Sequence, residues 1–240
     1  MGIAVEVVVR MRRHDGDEVE ECAWSAASKE LLAAAAPWRV FRWYRGQKHY
    51  SGTYWSATTR DHVIYESRLE LARLLFADFD RAVHGIVAQP FLLQTVLEGK
   101  IRKHIPDYLL LTDQVPVIVD VKPSHRLSKP EVAFTFDWTR QAVESRGWKY
   151  EVWSEPPPVE LENVRFLAGY RRDWLFSAAI LEELRGLDLD GVPLGRAAAC
   201  LPGHPDLQVR SAVHHLLWTQ NLVTDLDQPL SPSHTLRQSA

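Results

Sequence analysis

Residues 104–123, HIPDYLLLTDQVPVIVDVKP, constrain this chain more than any other stretch. Two apolar runs, each short enough to be a buried strand, carry Asp107 at the start of the first and Asp120 and Lys122 in the second. An ionised carboxylate stranded in a strand core is costly unless it is paired or holds a cation, so any fold that buries these runs must bring partners to them. Alternation through PVIVDVKP sends Val117, Val119 and Val121 to one face and Ile118, Asp120 and Lys122 to the other. If PDYLLL pairs beside that strand, Asp107 joins Asp120 and Lys122 at one place. Two carboxylates and a backbone carbonyl such as that of Val121 suit Mg²⁺ or Mn²⁺, hard cations that take oxygen ligands and keep waters. A lysine beside a metal-bound water can position it and favour its hydroxide form, the equipment for opening a phosphodiester.

The rest of the chain is compatible with a core around those strands. Its 240 residues, 46% hydrophobic, can bury one large domain or two ordinary ones. No run approaches a membrane span. The early IAVEVVV holds a Glu and precedes RMRRHDGDEVEE, so neither signal peptide nor anchor is expected, and no membrane partner. Cys22 and Cys200 stand apart, which supports neither a disulfide framework nor a cysteine zinc site and predicts a reducing cytoplasm. A net charge of −3 argues against indiscriminate coating of nucleic acid but leaves room for a local basic groove. Basic residues gather in GKIRKH and KPSHRLSK, which makes Lys100, Arg102, Lys103, Arg126 and Lys129 candidate phosphate contacts, with ordinary solvated charge as the alternative for each.

The three prolines of SEPPPVELEN predict an extended linker over 156–164, dividing a first module, 1–155, from a second, 165–240. In the first, residues 38–56 alternate aromatic with basic or small residues around Gly46 and Gly52. That pattern reads as a hairpin with an aromatic face in the core, base stacking being the alternative. Residues 61–79 carry a helical period in Tyr65, Leu69, Ala72, Phe76 and Phe79, with Glu66, Glu70 and Arg73 on the other side. Then come HGIVAQPFLLQTVLEGK and KHIPDYLLLTD, two strand-like runs joined through Glu98-Gly99, followed by PVIVDVKP, a helix over 131–146 and a strand from Trp148 to Trp153. The order predicts a mixed α/β core. The second module shows a helical FSAAILEELRG, a short helix, a turn with Gly203 and Pro205, and a longer helix with Val209, Val213, Leu216 and Leu217. A hairpin over LVTDLDQPLSPSHTLR would complete a winged-helix-like arrangement. Arg196 and Arg210 could reach DNA, but the acidic TDLDQP suits protein docking equally well. His214-His215, with His204 and Cys200, do not make a zinc site, because adjacent helical side chains diverge by about 100°.

Pro106-Asp107, twelve intervening residues and Asp120-Val121-Lys122 resemble the signature of the PD-(D/E)xK nucleases. More narrowly, ESRLELARLLFADFD, IVAQPFLL, HIPDYLLL and VIVDVKP, in that order, resemble the catalytic domain of TnsA-type endonuclease subunits of heteromeric transposases, over about residues 60–155. The resemblance implies a restriction-endonuclease-like mixed sheet flanked by helices, with a smaller, mostly helical, winged-helix-like C-terminal domain. It implies Asp107 and Asp120 as main metal ligands, Glu70 as the helix carboxylate that assists, Lys122 beside the attacking water, and Gln89 as a strand residue near the metals. Glu66 is a rival for Glu70, since residues four apart on a helix face the same side. By the same resemblance, water attacks DNA with the aid of Mg²⁺, or Mn²⁺ in its place, at the 5′ ends of a mobile element, leaving 5′-phosphate and 3′-hydroxyl. An integrase-type partner transposase would process the 3′ ends, with an ATPase regulator in the assembly. Two further readings stay open: a stand-alone restriction or repair nuclease of the same fold, and a non-catalytic DNA-binding or assembly protein.

Overall fold

A computed structural model describes residues 6–13, 18–39 and 50–239. The expected hairpin over 38–56 falls partly outside the described residues, and its described strand, Gly52–Ser56, pairs instead with Asp61–Tyr65. The chain forms two compact units, residues 1–78 with 82–155, and residues 79–81 with 156–240. The described residues make a mixed α/β structure with several sheets and seven helices. No described helix is long and apolar enough to cross a membrane.

The first unit runs β1 (Val8–Arg12), β2 (Val19–Ala23), α1 (Lys29–Ala33), β3 (Gly52–Ser56), β4 (Asp61–Tyr65), α2 (Arg68–Phe79), β5 (Val83–Ala88), β6 (Leu92–Leu97), β7 (Lys100–His104), β8 (Tyr108–Thr112), β9 (Val117–Val121), α3 (Pro130–Glu144) and β10 (Lys149–Trp153). One sheet has the order β10-β9-β8-β5, antiparallel except for the parallel β9–β10 pair, which α3 connects. A second has the order β2-β1-β6-β7, and β3 pairs with β4 as a hairpin. The apolar run of β9 suits a central strand covered on both faces. On one side, Ile118, Leu109 and Tyr150 join Val9, Met11, Trp24, Leu93 and Val143 in the core. On the other, α2 is tied down by Arg73, which donates twice to Glu151 (3.0 Å each), and by Phe76 against Trp153.

The structure departs from the sequence expectations in three places. Residues 61–65 are strand, not the start of the helix, because DHVIY is rich in β-branched and aromatic residues and pairs with GTYWS; α2 begins only after Ser67. HGIVAQPFLLQTVLEGK is two strands in different sheets, split at Gln89-Pro90, where the proline has no N–H for a ladder and Gln89 adopts φ +45°. KHIPDYLLLTD splits in the same way at Ile105-Pro106. Glu98-Gly99 is the two-residue turn between β6 and β7, with φ +52° and +70°, a conformation glycine takes without strain.

The third departure is the linker. The second unit contains α4 (Pro158–Leu167), α5 (Ala178–Arg185), α6 (Leu194–Ala197), α7 (Asp206–Trp218), β11 (Leu222–Val223) and β12 (Arg237–Gln238). The expected extended spacer over 156–164 is therefore largely helix: Pro157 takes the N-cap position and Pro158 opens the first turn, where the missing N–H costs nothing. The helices bury Val164, Ile180, Leu184, Val209, Val213 and Leu217. Strands β11 and β12 pair antiparallel at the ends of the expected hairpin. Buried Asn163 holds its loop, donating to the Leu226 and Gln228 carbonyls (2.8 Å each) and accepting from Leu230 N–H (3.1 Å).

Candidate functional site

Pairing in the β10-β9-β8-β5 sheet assembles the site. Tyr108 faces Val119 across β8 and β9, so Asp107, the residue just before β8, stands beside the end of β9 that carries Asp120. Main-chain bonds fix Asp107 there: its N–H donates to the Val119 carbonyl (3.1 Å), and its own carbonyl accepts from Gln89 N–H (2.8 Å). Its carboxylate accepts from Val121 N–H (2.6 Å). Lys122 N–H donates across to the Trp153 carbonyl, so alternation turns the Val121 carbonyl to the β8 side, beyond the residue at which β8 begins.

These groups line a cleft of about 720 Å³ that brings together Glu66, Glu70, Gln89, Asp107, Asp120, Val121 and Lys122. Of the five predicted phosphate contacts, Lys103 lines it. Lys100 is exposed at the start of β7, and Arg102 lies over the Phe134 ring (4.7 Å) near Glu98. Arg126 and Lys129 are exposed around the start of α3 and do not line the cleft. Sequence reasoning missed Arg10, Trp38, Arg39 and His104, which do.

Glu70 and Glu66 reach the cleft by different routes, not as neighbours on one helix. Ser67 caps α2: Glu70 N–H donates to Ser67 Oγ (3.1 Å), and the Glu70 carboxylate accepts from Ser67 Oγ (2.9 Å) and Glu66 N–H (2.7 Å), a capping-box arrangement. Glu66 precedes the helix and accepts from Gln89 Nε2 (2.6 Å), with the Arg39 guanidinium 3.7 Å away. Asp120, 2% exposed, is held from two sides. His104 Nε2 lies 2.9 and 2.8 Å from its two oxygens, and the Tyr150 hydroxyl donates to one of them. The His104 ring is set edge-on to Phe136 and Trp138.

Crowded negative charge dominates the electrostatics. Burial, then the neighbouring Asp120 and Glu70 carboxylates, push the Asp107 carboxyl well above its ordinary range, against the Val121 N–H bond and the Lys122 charge. Glu70 is raised chiefly by burial, opposed by its bonds to Glu66 N–H and Ser67. Burial also raises Tyr150, with Asp120 adding to it, so its hydroxyl stays a donor. Among the described residues no group of three His, Cys, Asp or Glu side chains stands ready as a ligand cluster. Asp120 is bonded by His104 and Tyr150, and Glu70 by Ser67 and the Glu66 N–H. The donor chemistry nonetheless fits a hard divalent cation, because three acidic oxygen donors repel one another around one cleft. No protein-family model matches the chain, and no curated protein matches it.

Proposed function

We propose that this chain is a metal-dependent DNA endonuclease of the PD-(D/E)xK kind, with a restriction-endonuclease-like core and a winged-helix-like C-terminal unit, working in the cytoplasm as the TnsA-like subunit of a heteromeric transposase. One observation carries the reading: Glu70, Asp107 and the Asp120-Val121-Lys122 segment, from three separate stretches of sequence, line a single cleft. The order of motifs along the chain favours the transposase subunit over other nucleases. DNA at the ends of a mobile element is the substrate, and an integrase-type transposase with an ATPase regulator is the partner set.

Asp107, Asp120 and the Val121 carbonyl would hold Mg²⁺ or Mn²⁺, with Glu70 assisting. Bound there, such a cation would supply Lewis acidity and make a bound water easier to deprotonate. His104 and Tyr150 fix the orientation of Asp120, and Val121 N–H fixes that of Asp107. Lys122 orients the attacking water and offsets negative charge at the phosphate.

Nicking of supercoiled plasmid with Mn²⁺ or Mg²⁺ tests this, comparing wild type with Asp107→Ala, Asp120→Ala and Lys122→Ala after each is shown to fold. Each variant is expected to lose roughly 10³-fold, the scale of several kcal/mol of lost transition-state stabilisation. Nicking that survives all three substitutions sinks the reading. Activity that requires the partner transposase identifies the subunit, and activity without it identifies the stand-alone enzyme.

A further inference from the structure

The strap that leaves α1 is pinned to the cleft at several points. Ala36 N–H donates to the Arg12 carbonyl (2.9 Å), and Arg12 Nη1 reaches the Trp38 carbonyl (3.4 Å). Trp38 N–H donates to the Gln89 carbonyl (3.0 Å), and Arg39 N–H donates to Gln89 Oε1 (3.0 Å). Gln89 is 6% exposed and sits at φ +45°, a conformation that a non-glycine residue adopts only where its surroundings hold it. The rest of Gln89 is spoken for as well: Nε2 donates to Glu66, and its N–H donates to the Asp107 carbonyl. One residue thus joins the strap to a cleft carboxylate and to the main chain of another.

The two side chains the strap carries both line the cleft. The Arg39 side chain is 57% exposed, and its 3.7 Å approach to Glu66 is too long for a hydrogen bond, so its charge is free to exchange onto an incoming anion. Lys103, exposed on β7, and Arg10 line the same cleft. Cations therefore stand at the rim while the buried carboxylates form the floor. A polyanion meets the rim first, and such a layout suits a phosphate chain whose reacting group lies over the floor.

We infer that Gln89 is a positioning residue that locks the Trp38–Arg39 strap onto the cleft as its phosphate-contacting rim, so that Arg39 and Lys103 grip the DNA strand beside Asp107. The inference rests on the nuclease reading and concerns how that substrate is held. Binding of a fluorescent DNA duplex, followed by anisotropy with chelator present across a series of salt concentrations, tests it apart from cleavage. Arg39→Ala and Lys103→Ala are each expected to weaken binding roughly fivefold at physiological salt and to reduce the salt slope by about one, the effect of a single lost phosphate contact. Gln89→Ala should reproduce the Arg39→Ala loss, and the double variant should bind no more weakly than Gln89→Ala alone, because both remove one contact.

Additive losses would make Gln89 merely structural and overturn its assigned role. An unchanged affinity and slope in Arg39→Ala, whose exposed side chain the fold does not need, would overturn the rim itself even if Gln89→Ala fails to fold. The nuclease reading would survive either result as long as metal-dependent nicking still depends on Asp120. A wild-type protein that binds no DNA would overturn the rim, while the nuclease reading would still rest on metal-dependent nicking.

Discussion

Asp78 and Asp107 belong to the same unit and both are withdrawn from water, yet their surroundings are opposite. Asp78, 6% exposed at the end of α2, accepts from the Tyr54 hydroxyl (2.7 Å), Ser56 Oγ (2.7 Å), Ala57 N–H (3.0 Å) and Thr58 N–H (2.8 Å). Neutral donors satisfy its oxygens, and the carboxylate works as a rivet between helix and hairpin. Asp107 accepts from Val121 N–H and faces two other carboxylates that push its carboxyl upward. What separates the two is not donors alone, since Asp120 is itself bonded by His104 and Tyr150, but the carboxylates crowded beside Asp107. A buried acid pressed against its own kind stores unfavourable charge that a cation can relieve.

Substitution should separate the two. Asp78→Ala leaves two hydroxyls and two backbone N–H groups without their acceptor and is expected to lose about 3–5 kcal/mol, read as a lower urea midpoint at unchanged slope. Asp107→Asn removes a like charge and should fall within about 1 kcal/mol of wild type or above it. The pH dependence carries the same sign. A carboxyl raised in the folded state above its ordinary 3.8 contributes stability below that value and loses it as pH rises through the folded pKa, so wild type should weaken upward from there while Asp107→Asn should not. Equal losses in both variants would erase the distinction.

Much of this arrangement is legible in the chain, and the illegible part has a common cause. The apolar run of β9 and the α3 period are local signals that the backbone geometry translates directly, whereas the Ser67-x-x-Glu70 cap, equally local, is hidden under a helical period that runs on from residue 61. The nearness of Asp107 to Asp120 follows once β8 and β9 are recognised as adjacent strands. His104, Tyr150, Arg10 and Arg39 come from other strands or from the strap, and no spacing announces them, because their placement depends on which sheet edges meet. Tyr65 misled the helical phasing: it falls four residues before Leu69, so the end of β4 imitates an extra turn of α2. The prolines at 156–158 misled in the opposite sense, since a proline run forbids the interior of a helix but not its first turn.

The second unit buries ionisable groups too, and there pH should act in reverse. His214 lies 5.1 Å from the Phe166 ring and 4.7 Å from Tyr170, while His215 stacks on Phe176 (4.5 Å) and bonds through Nδ1 to the Tyr170 carbonyl (2.7 Å). Burial, reinforced by Arg210, lowers His214 from 6.5 to about 4. A histidine depressed in the folded state contributes its full stability above the unfolded value and loses it as pH falls from 6.5 toward 4, a change of about 2–3 kcal/mol. Protection of α7 amides, corrected for intrinsic exchange, should fall across that window and flatten in His214→Leu. A slope that persists in the variant would assign the effect to another group.

The smallest expected effect bears most directly on the cleft. A ligand that binds the folded state alone at about ten times its Kd stabilises by about 1.4 kcal/mol, which for a chain of this length raises Tm by roughly 3–5 °C. Mg²⁺ or Mn²⁺ should produce that rise in wild type. Asp78→Ala, although less stable at the outset, should show the same increment, because its lost bonds lie outside the cleft. Asp107→Asn and Asp120→Ala should show none. The increment should also grow as pH rises, because the raised Asp107 carboxyl must release its proton before its oxygens can serve as ligands. An equal rise in every variant would place the ion on exposed acidic surface such as TDLDQP. A rise lost only with Asp107 and Asp120 would mean that the repulsion between these two carboxylates, unlike the saturated bonding of Asp78, is kept in the fold for a cation to relieve.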